Sequence, residues 1–270
     1  MAMLTMSDGC RLFYERRGQG RPVLLVHGWM GSHRLWEPTF AELMGDHDVI
    51  ALDLRGHGRS DRPLTPYTYE RYAQDLKEVM DQLDLRGVVL VGWSMGCGVS
   101  MLYHHRFGPH RLAAMALVAG SPKLVRDRDA GWVYGMSAAM HHKILEDVGK
   151  ARPVYAKLLT DGIFHAGMPQ PVRDLAFQAA LEASLPCAIE SFEDGGRLDL
   201  REGLEAIRLP VSVFHGRTDF LASFAAAEYV AQTIPGAELV AFDLSVHAPQ
   251  WEEPERFHQG LRDLIGRIPG

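Results

Sequence analysis

The sequence predicts an α/β fold: a mostly parallel central sheet flanked by helices, with one helical lid inserted. Three observations predict it. Short Val-rich apolar runs at residues 23–26 and 88–91 are too short for helices and read as strands buried on both faces. Between such runs lie stretches of helical period, an alternation that produces a parallel sheet covered on both sides. From about Lys123 to Glu205 the alternation stops; helical patterns continue without a convincing strand, and strands resume at Val211. The expected division is a core domain of residues 1–121 and 206–270 and a lid of residues 122–205.

Each element has its own signal. Ser7-Asp8-Gly9 between residues 4–6 and 11–16 marks a hairpin. Residues 23–26 form a strand that runs into His27-Gly28-Trp29. Residues 36–44 read as helix and 48–53 as a second buried strand, followed by the Gly-punctuated loop Asp53-Leu54-Arg55-Gly56-His57-Gly58-Arg59-Ser60. Tyr72, Ala73, Leu76, Val79, Met80 and Leu83 give residues 69–83 one apolar helical stripe. The run 88–91 and a helix over 99–107 flank Gly92-Trp93-Ser94-Met95-Gly96, and residues 113–119 form another strand. Lid helices are expected at 132–148, 153–159 and 171–184, the last with Pro171 in its first turn. The core then resumes with a strand at 211–214, a helix at 224–233, a strand at 238–242 and a closing helix at 254–265.

Composition bounds the function. A chain of 270 residues suits one large domain with an insertion, and 47% hydrophobic with 23% charged residues is ordinary for a globular protein. A net charge of −6 offers a nucleic acid no electrostatic attraction. No apolar run approaches the ~18 residues that span a bilayer. Residues 1–20 carry Arg11, Arg16 and Arg17 and no continuous apolar segment, unlike a signal peptide. Cys10, Cys97 and Cys187 are odd in number and scattered, which argues against a disulfide framework and makes the cytoplasm the expected compartment.

The chemistry starts at Ser94. A Gly-x-Ser-x-Gly at a strand-to-helix junction strains the serine backbone and projects its hydroxyl forward, with small residues where strand and helix nearly touch. A serine hydroxyl is a weak nucleophile and needs a histidine to take its proton; the histidine needs a carboxylate to fix its tautomer. In a parallel-sheet enzyme of this type the order is Ser, acid, His. Asp219, in His215-Gly216-Arg217-Thr218-Asp219, follows the strand at 211–214, and His247 follows the strand at 238–242. All three fall at the carboxyl edge of the sheet, where open α/β folds place their ligands. Taken singly, Asp219 also fits a turn-capping aspartate and His247 a surface loop histidine. The oxyanion donors expected are the amides of Met95, after the nucleophile, and Trp29, in the early loop that Gly28 lets approach the serine. His27 reads as a structural residue bonding its own loop, and Cys97 as a small residue packing the elbow helix. The pairs His104-His105 and His141-His142 do not suit a metal, because helical neighbours point about 100° apart. No cofactor or metal is expected.

These residues together resemble the α/β-hydrolase superfamily, through His27-Gly28-Trp29, Asp53 to Ser60, Gly92 to Gly96, His215 to Asp219 and His247-Ala248-Pro249. Within it the sequence is most similar to the pimeloyl-[acyl-carrier protein] methyl ester esterases of biotin synthesis, with Asp199-Leu200-Arg201 and His247-Ala248-Pro249 as further matches. Met30 and Cys97 stand where that group has glycine. The resemblance implies a carboxylic ester hydrolase acting on a medium-chain acyl ester. It further implies an acyl-carrier protein docked on the basic first half of the lid, where Lys123, Arg126, Arg128, Lys143, Lys150, Arg152 and Lys157 face four acids over 122–160. Trp29, Trp132, Met136, Met140, Tyr155 and Phe164 are the expected acyl-pocket residues. A serine at the elbow argues against dehalogenase and epoxide hydrolase chemistry, which uses an aspartate there. Lactonase, C–C bond hydrolase, cofactor-free haloperoxidase or perhydrolase activity, and a non-catalytic ligand receptor are the alternatives.

Overall fold

The computed structural model describes residues 2–109 and 111–269. Eight strands form one sheet: β1 (Ala2–Thr5), β2 (Arg11–Arg17), β3 (Pro22–Val26), β4 (Asp48–Leu52), β5 (Val88–Trp93), β6 (Leu112–Val118), β7 (Val211–Gly216) and β8 (Glu238–Phe242), in the order β1-β2-β4-β3-β5-β6-β7-β8. The β1–β2 and β2–β4 pairs are antiparallel, as a hairpin at an edge allows, and every later pair is parallel.

The apolar runs are buried on both faces because each strand feeds two cores. Leu24, Val26 and Leu90 point to one, with Tyr72, Leu76 and Val79 of α2 (Tyr69–Gln82) and Leu102 of α3 (Met95–Phe107). Val23, Leu25, Val89 and Val91 point to the other, with Leu43 of α1 (Glu37–Leu43) and Phe257 and Leu261 of the closing helix Pro254–Gly266. The register sets the site. Val26 pairs with Gly92, Trp93 with Val118, Val118 with Phe214, and Gly216 with Phe242. His27, Ser94 and the loops carrying Asp219 and His247 therefore leave the sheet along one edge.

Between β6 and β7 the described residues hold α4 (Ala138–Gly162), α5 (Gln170–Glu182) and α6 (Leu185–Arg197). The expected helix at 132–148 starts later, because Gly131 and Gly135 sit at φ +72° and +82° and Trp132 pairs with Asp127 instead. The Ser137 hydroxyl then accepts from the Met140 amide at 3.1 Å and opens α4. Expected helices 132–148 and 153–159 lie in one run, broken at Ala151 (φ −152°, ψ 56°) two residues before Pro153, which lacks the N–H an unbroken helix needs. Helix α6 had no expected counterpart. Its Ser184 accepts from the Cys187 amide at 3.3 Å, and Pro186 occupies the first turn, a start signal weakened downstream by Gly195-Gly196. Downstream lie α7 (Phe224–Thr233), the short α8 (Pro249–Glu252) and α9 (Pro254–Gly266). No helix among the described residues is long and apolar enough to cross a membrane.

Candidate active site

Ser94 joins β5 to α3 at φ +56°, ψ −114°, a conformation that non-glycine residues avoid and that sharp functional turns retain. The turn is held by its own backbone, the Ser94 amide donating to Val118 O at 2.8 Å. A Cβ on Gly96 would lie 2.5 Å from Val26 O and 3.0 Å from His27 O, so only glycine lets the elbow helix rest on the end of β3. The Cys97 thiol donates to Gly92 O at 3.0 Å and Val118 O at 3.1 Å, and burial pushes its pKa up. It remains a protonated packing group.

Asp219 and His247 meet across two loops. Asp219 Oδ2 lies 2.7 Å from His247 Nδ1, and Oδ1 accepts from the Leu221 and Ala222 amides at 2.8 and 3.0 Å. Because the carboxylate only accepts, Nδ1 carries the imidazole proton and Nε2 is left with a free lone pair. His215 Nε2 also approaches Asp219 Oδ2, at 3.3 Å, while bonding Ala222 O at 2.9 Å. Burial lowers the His215 pKa and keeps that ring neutral. The His247 loop is fixed from three sides. Trp93 Nε1, one residue before Ser94, donates to His247 O at 2.7 Å. The His247 amide donates to Ile163 O at 3.1 Å. The Glu252 carboxylate accepts from the amides on either side of His247, Val246 at 3.0 Å and Ala248 at 2.9 Å, and from His165 at 2.6 Å.

The early loop is equally tied. His27 Nδ1 bonds Gly28 O at 2.8 Å, and its Nε2 accepts from the Leu54 amide at 3.0 Å, a structural use of the ring. Trp29 Nε1 donates to Ala188 O of α6 at 3.0 Å, and its ring lies 4.5 Å from that of Phe192. Met95 is the first residue of α3, so its amide has no intrahelical acceptor.

Ser94, His247, Gly28, Trp29 and Met95 line one mostly apolar cavity of about 160 Å³, roofed by α4 and α6. A cavity near 150 Å³ admits a benzene-sized group. Of the expected pocket residues, Trp29, Met136 and Tyr155 are on its wall; Trp132, Met140 and Phe164 are not. Trp132 is 1% exposed but turned away, with Nε1 on Lys123 O at 3.0 Å and its ring against Tyr134 and Tyr229. Met140 is 53% exposed on the outer face of α4. Phe164 is buried in the sheet-side core. The wall also holds Met30, Tyr69, Ile144, Leu159, Phe192 and Leu221. Ile144 and Leu159 lie on helices expected from the sequence, and apolarity alone does not separate wall from core. The adjacent histidines have separate partners, His141 Nε2 on Phe192 O at 2.9 Å and His142 near Glu146 at 3.4 Å.

A family model described as alpha/beta hydrolase fold matches residues 21–254. The AB hydrolase superfamily protein YisY of Bacillus subtilis is 33% identical over 92% of this chain and 92% of that protein. Non-heme chloroperoxidase CPO-A1 of Kitasatospora aureofaciens is 29% identical over 99% of this chain and 100% of its own length. Among solved structures, an esterase from Exiguobacterium antarcticum superposes with a TM-score of 0.94 at 30% identity, covering 98% of each chain. With a matched model across most of its length, a parallel sheet of that fold and esterase-like neighbours, the chain belongs to the alpha/beta hydrolase family.

Proposed function

We propose that this protein is a serine carboxylic ester hydrolase that works through an acyl-enzyme, with Ser94, His247 and Asp219 as its triad. One observation carries the reading. The 2.7 Å Asp219–His247 contact is buried at the edge where a strained Ser94 opens into the same cavity as the imidazole. Ser94 Oγ attacks the ester carbonyl as His247 Nε2 takes its proton. The Met95 and Trp29 amides receive the oxyanion, and His247 returns the proton to the leaving alcohol. Water, deprotonated by His247, then attacks the acyl-enzyme and releases the acid. Asp219 holds the ring and stabilises the imidazolium throughout. No step calls on a cofactor.

The relatives named as chloroperoxidases favour a second reading, in which hydrogen peroxide rather than water takes the acyl group. Haloperoxidases of this fold often carry proline after the tryptophan of the early loop. Here that position is Met30 at φ +54°, which a proline ring does not reach, so the loop is shaped differently and hydrolysis is the favoured outcome. The carrier-bound pimeloyl methyl ester belongs to the proposed substrate class. The basic face has largely local partners: Lys143, Lys150 and Lys157 pair with Asp147, Glu146 and Asp161, and Lys123 with Asp127 and Asp199. Arg152 bonds the carbonyls of Ala180, Leu181 and Ala183. We therefore favour a free acyl ester over a carrier-bound one. The three cysteines are buried and free, in keeping with a cytoplasmic protein.

A panel of short and long p-nitrophenyl esters, γ-lactones and a methyl-pimeloyl carrier thioester tests the reading. Ester turnover abolished in a folded His247→Ala variant is expected. Full activity in that variant, or peroxide-dependent halogenation without hydrolysis, overturns it.

A further inference from the structure

The cavity wall contains several polar side chains, and most are already engaged. Ser191 Oγ donates to Cys187 O at 2.6 Å, Thr160 Oγ1 to Ala156 O at 2.9 Å, and Ser121 Oγ to Lys123 O at 2.8 Å. Tyr69 is different. Its backbone is fixed, the amide donating to Asp194 Oδ2 at 2.8 Å, and its ring packs edge-on to Tyr72. Its phenolic oxygen has no hydrogen-bond partner among the described residues.

The ring is held in a slot made by two glycines on that wall. A Cβ on Gly98 would come within 2.6 Å of Tyr69 Cε1, and one on Gly195 within 2.8 Å of its hydroxyl oxygen. Gly98 lies four residues after Ser94, one turn or roughly 6 Å along α3. Gly195 is on α6, on the roof. The phenol is thus held between the elbow helix and the roof, partly exposed to the cavity that Ser94 also lines. Burial pushes its pKa up, so at neutral pH it is an O–H donor. A hydroxyl without a protein partner on this mostly apolar wall is a donor open to a bound group, and phenylalanine would fill the same slot without offering one.

We propose that Tyr69 is a specificity-determining residue whose hydroxyl donates a hydrogen bond to a neutral oxygen on the acyl chain, a few bonds from the scissile carbonyl. The inference rests on the ester-hydrolase reading and adds the substrate class, an oxo-acyl or diester substrate rather than a plain alkyl ester. The oxygen is neutral because no Lys or Arg lines the cavity among the described residues, leaving a carboxylate without a counter-charge. A ketone or ester carbonyl accepts the phenolic proton with no change in net charge.

The test compares hydrolysis of methyl 4-oxopentanoate with methyl pentanoate, and of methyl 5-oxohexanoate with methyl hexanoate, by pH-stat in wild type and Tyr69→Phe. At least one oxo ester is expected to exceed its alkyl partner in kcat/KM by about fivefold or more in the wild type, the worth of one well-placed hydrogen bond. Tyr69→Phe is expected to bring that ratio to about one, by lowering kcat/KM for the oxo ester more than for its alkyl partner. A wild type without preference in either pair overturns the inference, as does a variant that lowers both esters of a pair equally, the mark of a packing role. Hydrolysis of the alkyl esters without oxo preference leaves the hydrolase reading standing and removes only Tyr69. Failure to hydrolyse any of the four, with no covalent labelling of Ser94 by a fluorophosphonate, removes both.

Discussion

Gly28→Ala separates the catalytic account from the fold. A Cβ on Gly28 would lie 3.0 Å from Ser94 Cβ, 3.3 Å from Trp93 O and 3.6 Å from Ser94 Oγ. None of these atoms yields easily: Trp93 O belongs to the central strand β5, and Ser94 is held at φ +56°. The early loop itself must therefore retreat by a few tenths of an ångström, taking the Trp29 amide away from the oxyanion. Loss of one such donor costs roughly 10²–10³ in kcat, and partial displacement is expected to cost about 10- to 100-fold. Gly28 has no positive φ, so alanine introduces little backbone strain and the melting temperature is expected to stay within about 2 °C. Steady-state kinetics on a p-nitrophenyl ester and a thermal melt on the same sample read both quantities. Undiminished kcat would refute the oxyanion placement. A parallel collapse of kcat and melting temperature would assign Gly28 to the fold instead.

Three further outcomes follow from named contacts. Asp219→Asn retains the shape but favours the wrong imidazole tautomer, and kcat is expected to fall by about 10³–10⁴ with KM little changed; a loss under tenfold contradicts the role of Asp219. Glu252→Ala leaves the amides of Val246, Ala248 and His165 without their carboxylate, a loss of about 3 kcal/mol, or roughly 6–12 °C in melting temperature, together with reduced kcat. A melt unchanged with full activity refutes the bracketing of His247 by that side chain. The buried histidines set the acid limit. Burial lowers the His57 pKa from 6.5 to about 3 and depresses His27 and His215 as well. These rings refuse protons that the unfolded chain takes up, so their stabilisation is complete above pH 6.5 and is lost as pH falls toward the folded values. Each costs up to about 1.4 kcal/mol per pH unit in that range; buried Asp75 and Glu252, with raised pKa values, act in the opposite sense. The urea midpoint is expected to fall between pH 6.5 and 5, with a shallower slope in His57→Asn; equal slopes contradict the assignment.

The sheet was legible because its signals are local. A strand buried on both faces must be apolar at consecutive positions, as residues 88–91 are. The elbow and the two loops bearing Asp219 and His247 were legible because each strand end is marked and all parallel strands present the same edge. The roof was not, because its helices bury apolar side chains against the core, against each other and around a cavity, and sequence periodicity does not tell these apart. Trp132 and Phe164 are as apolar as Phe192, yet only Phe192 lines the cavity. Glu252 was missed for another reason: a carboxylate that serves three backbone amides looks like any surface acid until the loops are folded around it.

Intact-mass spectrometry after treatment with a fluorophosphonate tests the central claim most directly. The account predicts one phosphonyl adduct per chain, located on Ser94, absent from Ser94→Ala and formed at least about 10²-fold more slowly in His247→Ala, since the hydroxyl then lacks its base. An unlabelled wild type, or equal labelling of Ser94→Ala, would contradict it.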